Sequence, residues 1–385
     1  MAKRLSTNPL APKVYLLRET GKTVPLTLVI VLAVMLIAGI VSMINSIPLS
    51  IRTIYSYSAL YAGFTPRGDA SRTPEIRQRI EKESPVPLGR VMTARASEAV
   101  VKSIVGKWPF VILGLEQSDM DYYLQAMDTK SIDGRKPRPG TPEALISEPL
   151  ARNLGLKLGS TLLGPTIDES FSPMPVKVVG IAQTNKWVAM VPIEYHRLYH
   201  FPPIDVLAVF TKDPAQQPEF DSWALEAFKG ERTRVFVYED LDKDTTEMFN
   251  ILYRILNVVI GALVLVITFM MGMLMNIYQS QRLQEFGLLQ ALGYTRSALL
   301  RRVLGEAAMV VIGGWLLGVL TAFGLLNLVK RILMDPQAFA LDPLDRTAYL
   351  YSIPVPIAIL VVAGLTVMIR FRRFDPVGVV ERRLV

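Results

Sequence analysis

Residues 284–306 read QEFGLLQALGYTRSALLRRVLGE. Five charged side chains (Glu285, Arg296, Arg301, Arg302 and Glu306) make the stretch too polar for hydrocarbon, and six leucines make it too apolar for a free loop. On either side lies a run with no charged residue, 255–281 before it and 307–329 after it. Two more such runs occupy 23–51 and 347–369. A helix crossing about 30 Å of hydrocarbon needs about 20 apolar residues, and all four runs are long enough. The quoted stretch is therefore the connection between the second and third of four predicted spans.

Charge orients the spans. The net charge of +8 is unevenly placed. Residues 1–22, 282–302 and 370–385 carry 5, 4 and 5 Lys/Arg against 1, 1 and 2 acidic residues, whereas 48–245 carries 24 against 25. Basicity confined to short span-flanking segments marks a membrane protein's cytoplasmic side, and it argues against a nucleic-acid surface. Both termini and the 282–302 connection are thus expected inside, with 48–245 outside. The first run, with VPLTLVIVLAVMLIAGIVSMINSI at 24–47, is longer than a signal-peptide core and shows no small-x-small cleavage site, so an uncleaved anchor is expected. There is no cysteine, so the outside part must be held by its own core.

The expected fold class is a membrane protein with four transmembrane α-helices and a large extracytoplasmic α/β domain inserted between helices 1 and 2. The boundaries read as follows: a cytoplasmic amphipathic N-terminal helix at 1–22; the first span at 23–47; the extracytoplasmic domain with its stalk at 48–245; the second span at 249–279; a cytoplasmic connection at 280–303; the third span at 304–329; a short outside loop at 330–347; the fourth span at 348–370; and a cytoplasmic tail at 371–385. In the N-terminal helix Leu10, Val14 and Leu17 face lipid and Lys13, Arg18 and Lys22 face head groups. Tyr55, Tyr57 and Tyr61 are expected in the interfacial aromatic belt. Strands are expected at 109–115, 176–182, 206–211 and 233–239, where β-branched runs are bounded by Gly, Pro or charge. Helical spacing marks 143–156 and 220–229. Pro and Gly make 130–142 a loop. Thr245 or Thr246 is the expected N-cap of the second span. In the third span, Gly313 and Gly314 with Gly318 four residues on offer small positions for close helix packing.

Catalytic patterns are missing. TGKT at 20–23 resembles the end of a phosphate-binding loop, but Leu16 stands where the first glycine is needed. His196 and His200 are four apart, and zinc would need at least a third ligand. Glu306, at the inner mouth of the third span, reads as snorkelling or as bonded to a neighbouring helix, with a proton-relay role as the sharper alternative. A membrane part and a large outside part with no engine imply that a partner supplies the work.

Within 284–306, Leu288, Ala291 and Leu292 share a helical face, with Phe286 and Leu289 close to it. Gly293 is a helix terminator, and Thr295 or Ser297 can cap the next helix, bringing Arg296, Arg301 and Arg302 to the membrane edge. Such a short helix offers an anchor for a groove on another protein, or lies flat on lipid. Gly287 costs helix stability and makes sense where another backbone comes close.

The stretch QRLQEFGLLQALGYTRSALLRRVLGEAAMVVIGGWLLG resembles the signature of the MacB/FtsX-like permeases, the transmembrane subunits of type VII ABC transporters. Arg282, Glu285, Gly287, Leu288, Leu289, Ala291, Gly293, Glu306, Gly314 and Gly318 fit the pattern. RRFDPVGVVERRL at the C-terminus, and DGRKPRPGTPEALISEPLARNLGLKLGSTL with VKVVGIA outside, resemble the same family. The resemblance implies a permease subunit, not an enzyme. It couples ATP hydrolysis on a separate ABC ATPase, expected in two copies, to motion of its outside domain, so as to extract or export a lipid, lipoprotein, peptide or hydrophobic small molecule. A mechanotransmission regulator that activates an envelope hydrolase or sensor is the alternative. The implied ATPase-docking coupling helix comprises Glu285, Phe286, Gly287, Leu288, Leu289, Leu292 and Gly293. Gln290 stands where the family commonly has a basic residue. No cofactor or metal is expected on this chain, with ATP and Mg on the partner. The implied partners are a second permease, identical or homologous, a periplasmic adaptor or substrate-binding protein, and membrane lipids, with no nucleic acid. The implied location is the bacterial inner membrane.

Overall fold

The uncharged run at 23–51 has nothing to stop a helix, and it folds as one 35-residue element, α1 (Thr20–Ile54). In the computed structural model, which describes residues 20–199, 201 and 205–372, the elements that follow are β1 (Ala62–Thr65), α2 (Thr73–Glu83), β2 (Leu88–Ser103), β3 (Gly106–Leu115), α3 (Gln117–Ala126), β4 (Ile132–Gly134), β5 (Glu143–Ser147), α4 (Glu148–Leu154), β6 (Thr161–Leu163), β7 (Val176–Ala182), β8 (Ala189–Pro192), α5 (Ile193–Leu198), β9 (Asp205–Thr211), α6 (Gln217–Ala227) and β10 (Arg234–Phe236). The chain then enters α7 (Tyr238–Gln281), α8 (Leu283–Ala291) and α9 (Arg296–Val329), and ends in α10 (Arg346–Leu350) and α11 (Pro354–Arg372). Most of the amphipathic helix expected at 1–22 and of the tail at 371–385 lies outside the described residues, as does His200.

These elements form two compact units. One is helical, built from the chain up to Ile44, Ile251–Val329 and the chain from Asp342. Its core joins Ile30, Val34 and Ile37 of α1 to Ile260 and Met271 of α7, Val311 of α9 and Ile359 of α11. Trp315 donates its indole N–H to Ser352 Oγ at 3.0 Å, satisfying a polar group among apolar neighbours. Leucines such as Leu265, Leu316, Leu320 and Leu365 stay exposed, as helices solvated by lipid require.

The other unit, Asn45–Asn250 with Lys330–Leu341, is built on one ten-stranded sheet in the order β10-β1-β9-β2-β3-β8-β5-β7-β4, with β6 on β7. Pairings are antiparallel except β3 with β8 and β5 with β7. Two separate cores pack on this sheet, one around Phe110, Trp187 and Tyr195, the other around Phe64, Ile80 and Phe220. At its base, Arg52 of α1 bonds Asp242 Oδ1 at 2.5 Å and Thr246 Oγ1 at 2.9 Å on α7.

Several expectations are corrected. Tyr57 and Tyr61 do not form a membrane belt. The chain leaves α1 at Ile54, and both rings are buried in the first core, Tyr57 against Phe110 and Tyr61 against Phe210. Tyr55 donates its hydroxyl to the Pro109 carbonyl of the same unit. Thr245 and Thr246 are not N-caps. α7 starts at Tyr238, and both hydroxyls donate back to the carbonyls of Leu241 and Asp242, at 2.7 and 2.8 Å. Residues 143–147 are strand rather than helix, because their side chains fill the sheet core before Pro149 opens α4. The 130–142 loop contains the short β4. The 330–347 loop begins as a π-helical turn, Lys330–Met334, and its portion to Leu341 belongs to the sheet unit. There Asn153 Nδ2 holds the Gln337 carbonyl at 2.8 Å, and Ser50 Oγ accepts from the Ala340 N–H at 3.0 Å.

Candidate functional site

The corner between α7 and α9 is closed by four charged side chains. Arg282 sits at the N-cap position of α8. Its guanidinium donates to Glu285 Oε2 at 3.0 Å and to Glu306 Oε2 at 2.6 Å. Arg302, one turn before Glu306 on α9, donates to Glu306 Oε1 at 3.1 Å and to Glu285 Oε1 at 3.1 Å. The result is a ring of two arginines and two glutamates with no net charge. The side chains of Arg282, Arg302 and Glu306 are 8%, 10% and 5% exposed, and Glu285 alone is half open at 42%. Buried charges cost free energy unless paired and hydrogen-bonded, and here each one is bonded to two others.

Apolar contacts complete the corner. Phe286 turns inward, under the Arg282 guanidinium at 5.1 Å, and packs with Leu299, Val303 and Val367. Leu289 packs against the same cluster, and Gly287 is buried. α8 then ends as its sequence dictates. Gly293 adopts φ +94°, its N–H bonds the Gln290 carbonyl at 2.9 Å, and the Tyr294 N–H reaches back to the Leu289 carbonyl at 3.1 Å. This pair of bonds is the Schellman termination, which glycine enters without Cβ strain. Thr295 Oγ1 accepts the Ala298 N–H at 3.3 Å and caps α9.

The face left over is apolar. Leu288 and Leu292 are 64% and 70% exposed, and Ala291 lies beside them. Of the seven residues assigned to docking, Leu288 and Leu292 therefore form the outward surface, with Glu285 at its edge. Phe286, Gly287 and Leu289 hold the helix in place, and Gly293 ends it. Among the three glycines assigned to packing, a Cβ on Gly314 would come within 3.1 Å of Ile30 Cβ, and one on Gly318 within 2.7 Å of Val34 Cβ, so α1 crosses α9 at these two positions. Gly313 faces open space. Sequence reasoning missed Arg302 as a member of the ring. Its i,i+4 relation to Glu306 was the available signal.

Residues 24–224 match the family described as the MacB-like periplasmic core domain, and residues 257–376 match the FtsX-like permease C-terminal family. The first match alone spans more than half of the chain. This chain belongs to the MacB/FtsX-like permease family. It is accordingly a multi-pass membrane protein of the ABC-transporter permease type, with its α/β domain on the periplasmic side between the first and second transmembrane helices. No curated protein matches the chain. Among solved structures, the periplasmic region of MacB from Actinobacillus actinomycetemcomitans is 12% identical, covering 51% of this chain and 95% of that one at a TM-score of 0.29. The extracellular domain of the noncanonic ABC-type transporter YknZ from Gram-positive bacteria is 15% identical, with coverages of 43% and 88% and a TM-score of 0.25. A domain of a permease protein from Porphyromonas gingivalis is 13% identical, with coverages of 46% and 89% and a TM-score of 0.24. The family assignment rests on the sequence matches, since superpositions this weak carry no weight.

Proposed function

We propose that this permease uses the exposed face of α8 to dock a separate ABC ATPase on the cytoplasmic side, and that ATP and Mg bound there drive motion of the periplasmic domain. The observation that carries this reading is the contrast within α8. Leu288 and Leu292 are open to solvent, whereas Phe286 and the Arg282–Glu285–Arg302–Glu306 ring fix the helix to its neighbours. A helix presenting two leucines from a rigid mount fits the helix-in-groove mode of recognition. A force on α8 is passed to α9 through the ring, and α7 runs directly into α8 at Arg282. α7 is one unbroken helix of 44 residues, about 66 Å long at 1.5 Å per residue, and so exceeds the hydrocarbon by a wide margin. The excess of Lys and Arg in the short flanking segments supports cytoplasmic termini and a place in the inner membrane of a bacterium. The ATPase is expected in two copies, on a pair of permeases.

The test is co-purification. Leu288→Glu with Leu292→Glu removes the apolar face without touching the ring or Phe286. The doubly substituted chain should insert normally and lose its ATPase on detergent extraction. Undiminished ATPase in the eluate would exclude this face as the docking surface. Phe286→Ala is the counterpart, and it should loosen the corner itself.

A further inference from the structure

Near the inner end of α7, one buried amide lacks a protein partner. Gln279 is 6% exposed, and among the described residues its Nε2 has no hydrogen-bond partner. It sits on the last turn of α7, three residues before Arg282, and its own carbonyl accepts the Arg282 N–H at 3.1 Å. Buried polar atoms are almost always bonded, either to protein or to ordered water. Turning the amide over would bury its oxygen instead, so the need for a partner is the same either way.

Gln279 borders a cavity of about 40 Å³ inside the helical unit. Three spans wall it. Thr23 comes from α1, Tyr278 and Gln279 from α7 and Glu306 from α9, with Arg282 at the junction of α7 and α8. Thr23, Arg282 and Glu306 are 7%, 8% and 4% exposed, so the polar lining is itself buried. A water needs about 10–15 Å³ of such space, which leaves room for about one or two and for little else. Cavities that stay dry are lined by apolar groups, and this one is not.

The lining also selects the charge and the hydrogen-bonding type of the occupant. Arg282 and Arg302 both bond Glu306, and two guanidiniums so close repel a cation. The Glu306 carboxylate repels an anion. Glu306 nevertheless has acceptor capacity to spare. Its Oε2 accepts from Arg282 at 2.6 Å and its Oε1 from Arg302 at 3.1 Å, whereas a carboxylate offers about four lone-pair sites. The group required is small and neutral, accepts from Gln279 Nε2 and donates to Glu306.

We propose that this cavity is an internal water site, in which one or two ordered waters bridge the Gln279 amide to the Glu306 carboxylate. The waters complete the hydrogen bonding of Gln279 and extend the polar ring toward Thr23, at the inner end of α1. The site is separate from the exposed α8 face and does not depend on ATPase docking.

Two methionines of α7 make the test. Met275 borders the cavity, and Met271, one turn earlier, does not; they are 7% and 0% exposed. An X-ray pulse splits bound water into hydroxyl radicals, which oxidise the nearest side chains. The full chain in lipid nanodiscs is pulsed, digested and read by mass spectrometry. Oxidation at Met275 should exceed that at Met271 by about fivefold or more. Gln279→Leu removes the amide and should bring Met275 down to the level of Met271. Equal oxidation of the two methionines in the parent chain would overturn the water site, whether or not the variant folds. An excess at Met275 that survives Gln279→Leu would overturn the assignment of Gln279 as the group that holds the water.

Discussion

Two sites, one in each unit, accommodate buried ionisable groups in opposite ways. In the helical unit, buried Arg282, Arg302 and Glu306 are bonded with the half-open Glu285 in a closed ring. In the periplasmic unit, His196 on α5 is fully buried, and neither ring nitrogen finds a hydrogen-bond partner among the described residues. It packs against Gly114 and the ring of Phe201 at 4.8 Å. Burial pushes its pKa down to about 4, and the nearby Arg95 charge acts in the same direction. The ring tolerates burial by pairing, whereas the imidazole tolerates it by staying neutral. The first solution ties α8 to α9 at one point, and the second leaves a group that can fail only when acid forces a proton onto it.

The sharpest way to break the comparison is to remove one member of the ring. Glu306→Ala leaves two buried guanidiniums sharing the single carboxylate of Glu285. Breaking a buried pair from one side costs about 3–5 kcal/mol, so the variant should lose most of its thermal stability in detergent. Fluorescence-detected melting reads this directly, and a melting point within two or three degrees of the parent would show that the ring contributes little.

The His196 effect is next in size. An unfolded histidine titrates near 6.5, so between pH 6.5 and about 4 the unfolded chain binds a proton that the folded chain does not. Stability from this group is fully present above pH 6.5 and is lost as pH falls through that window. At 1.36 kcal/mol per pKa unit the loss is on the order of 2–3 kcal/mol by pH 4. His196→Phe should flatten the acid limb of the melting curve. An unchanged acid limb would mean that other groups govern it.

Gly318→Val asks whether packing rivals pairing in the helical unit. The new side chain meets Val34, and overpacking of this kind costs about 1–3 kcal/mol. Gly313→Val, facing open space, is the control and should be close to neutral. The smallest effect is expected at Arg52, whose partner Asp242 is 41% exposed. Exposed pairs contribute about 0–1 kcal/mol, so Arg52→Ala should barely shift melting, and added salt should erase the difference.

The corner itself shows how far the sequence could be read. Gly293 as a terminator and Thr295 as a cap were legible, because both are set by φ preference and by bonds within five residues. The face of Leu288, Ala291 and Leu292 followed from helical spacing alone. The inward turn of Phe286 did not, since it depends on Val367 some eighty residues away. In the periplasmic unit, β2 was missed because LGRVMTARASEAVVKS is rich in alanine, serine and charge, and its strand state is imposed by β3 and β9. Tyr57 and Tyr61 were misplaced for the same reason: their neighbours Phe110 and Phe210 come from distant strands.

By itself, the sequence determined the number of spans, their order, the place of the periplasmic domain between the first two and the small residues on the third span. Those properties follow from the cost of moving charge and bare backbone into hydrocarbon, which each segment settles alone. Tertiary structure alone decided which charges meet. It also joined residues 330–341 to the sheet unit through Asn153 and Ser50. Those outcomes turn on pairings between residues tens to hundreds of positions apart, where local composition carries no signal.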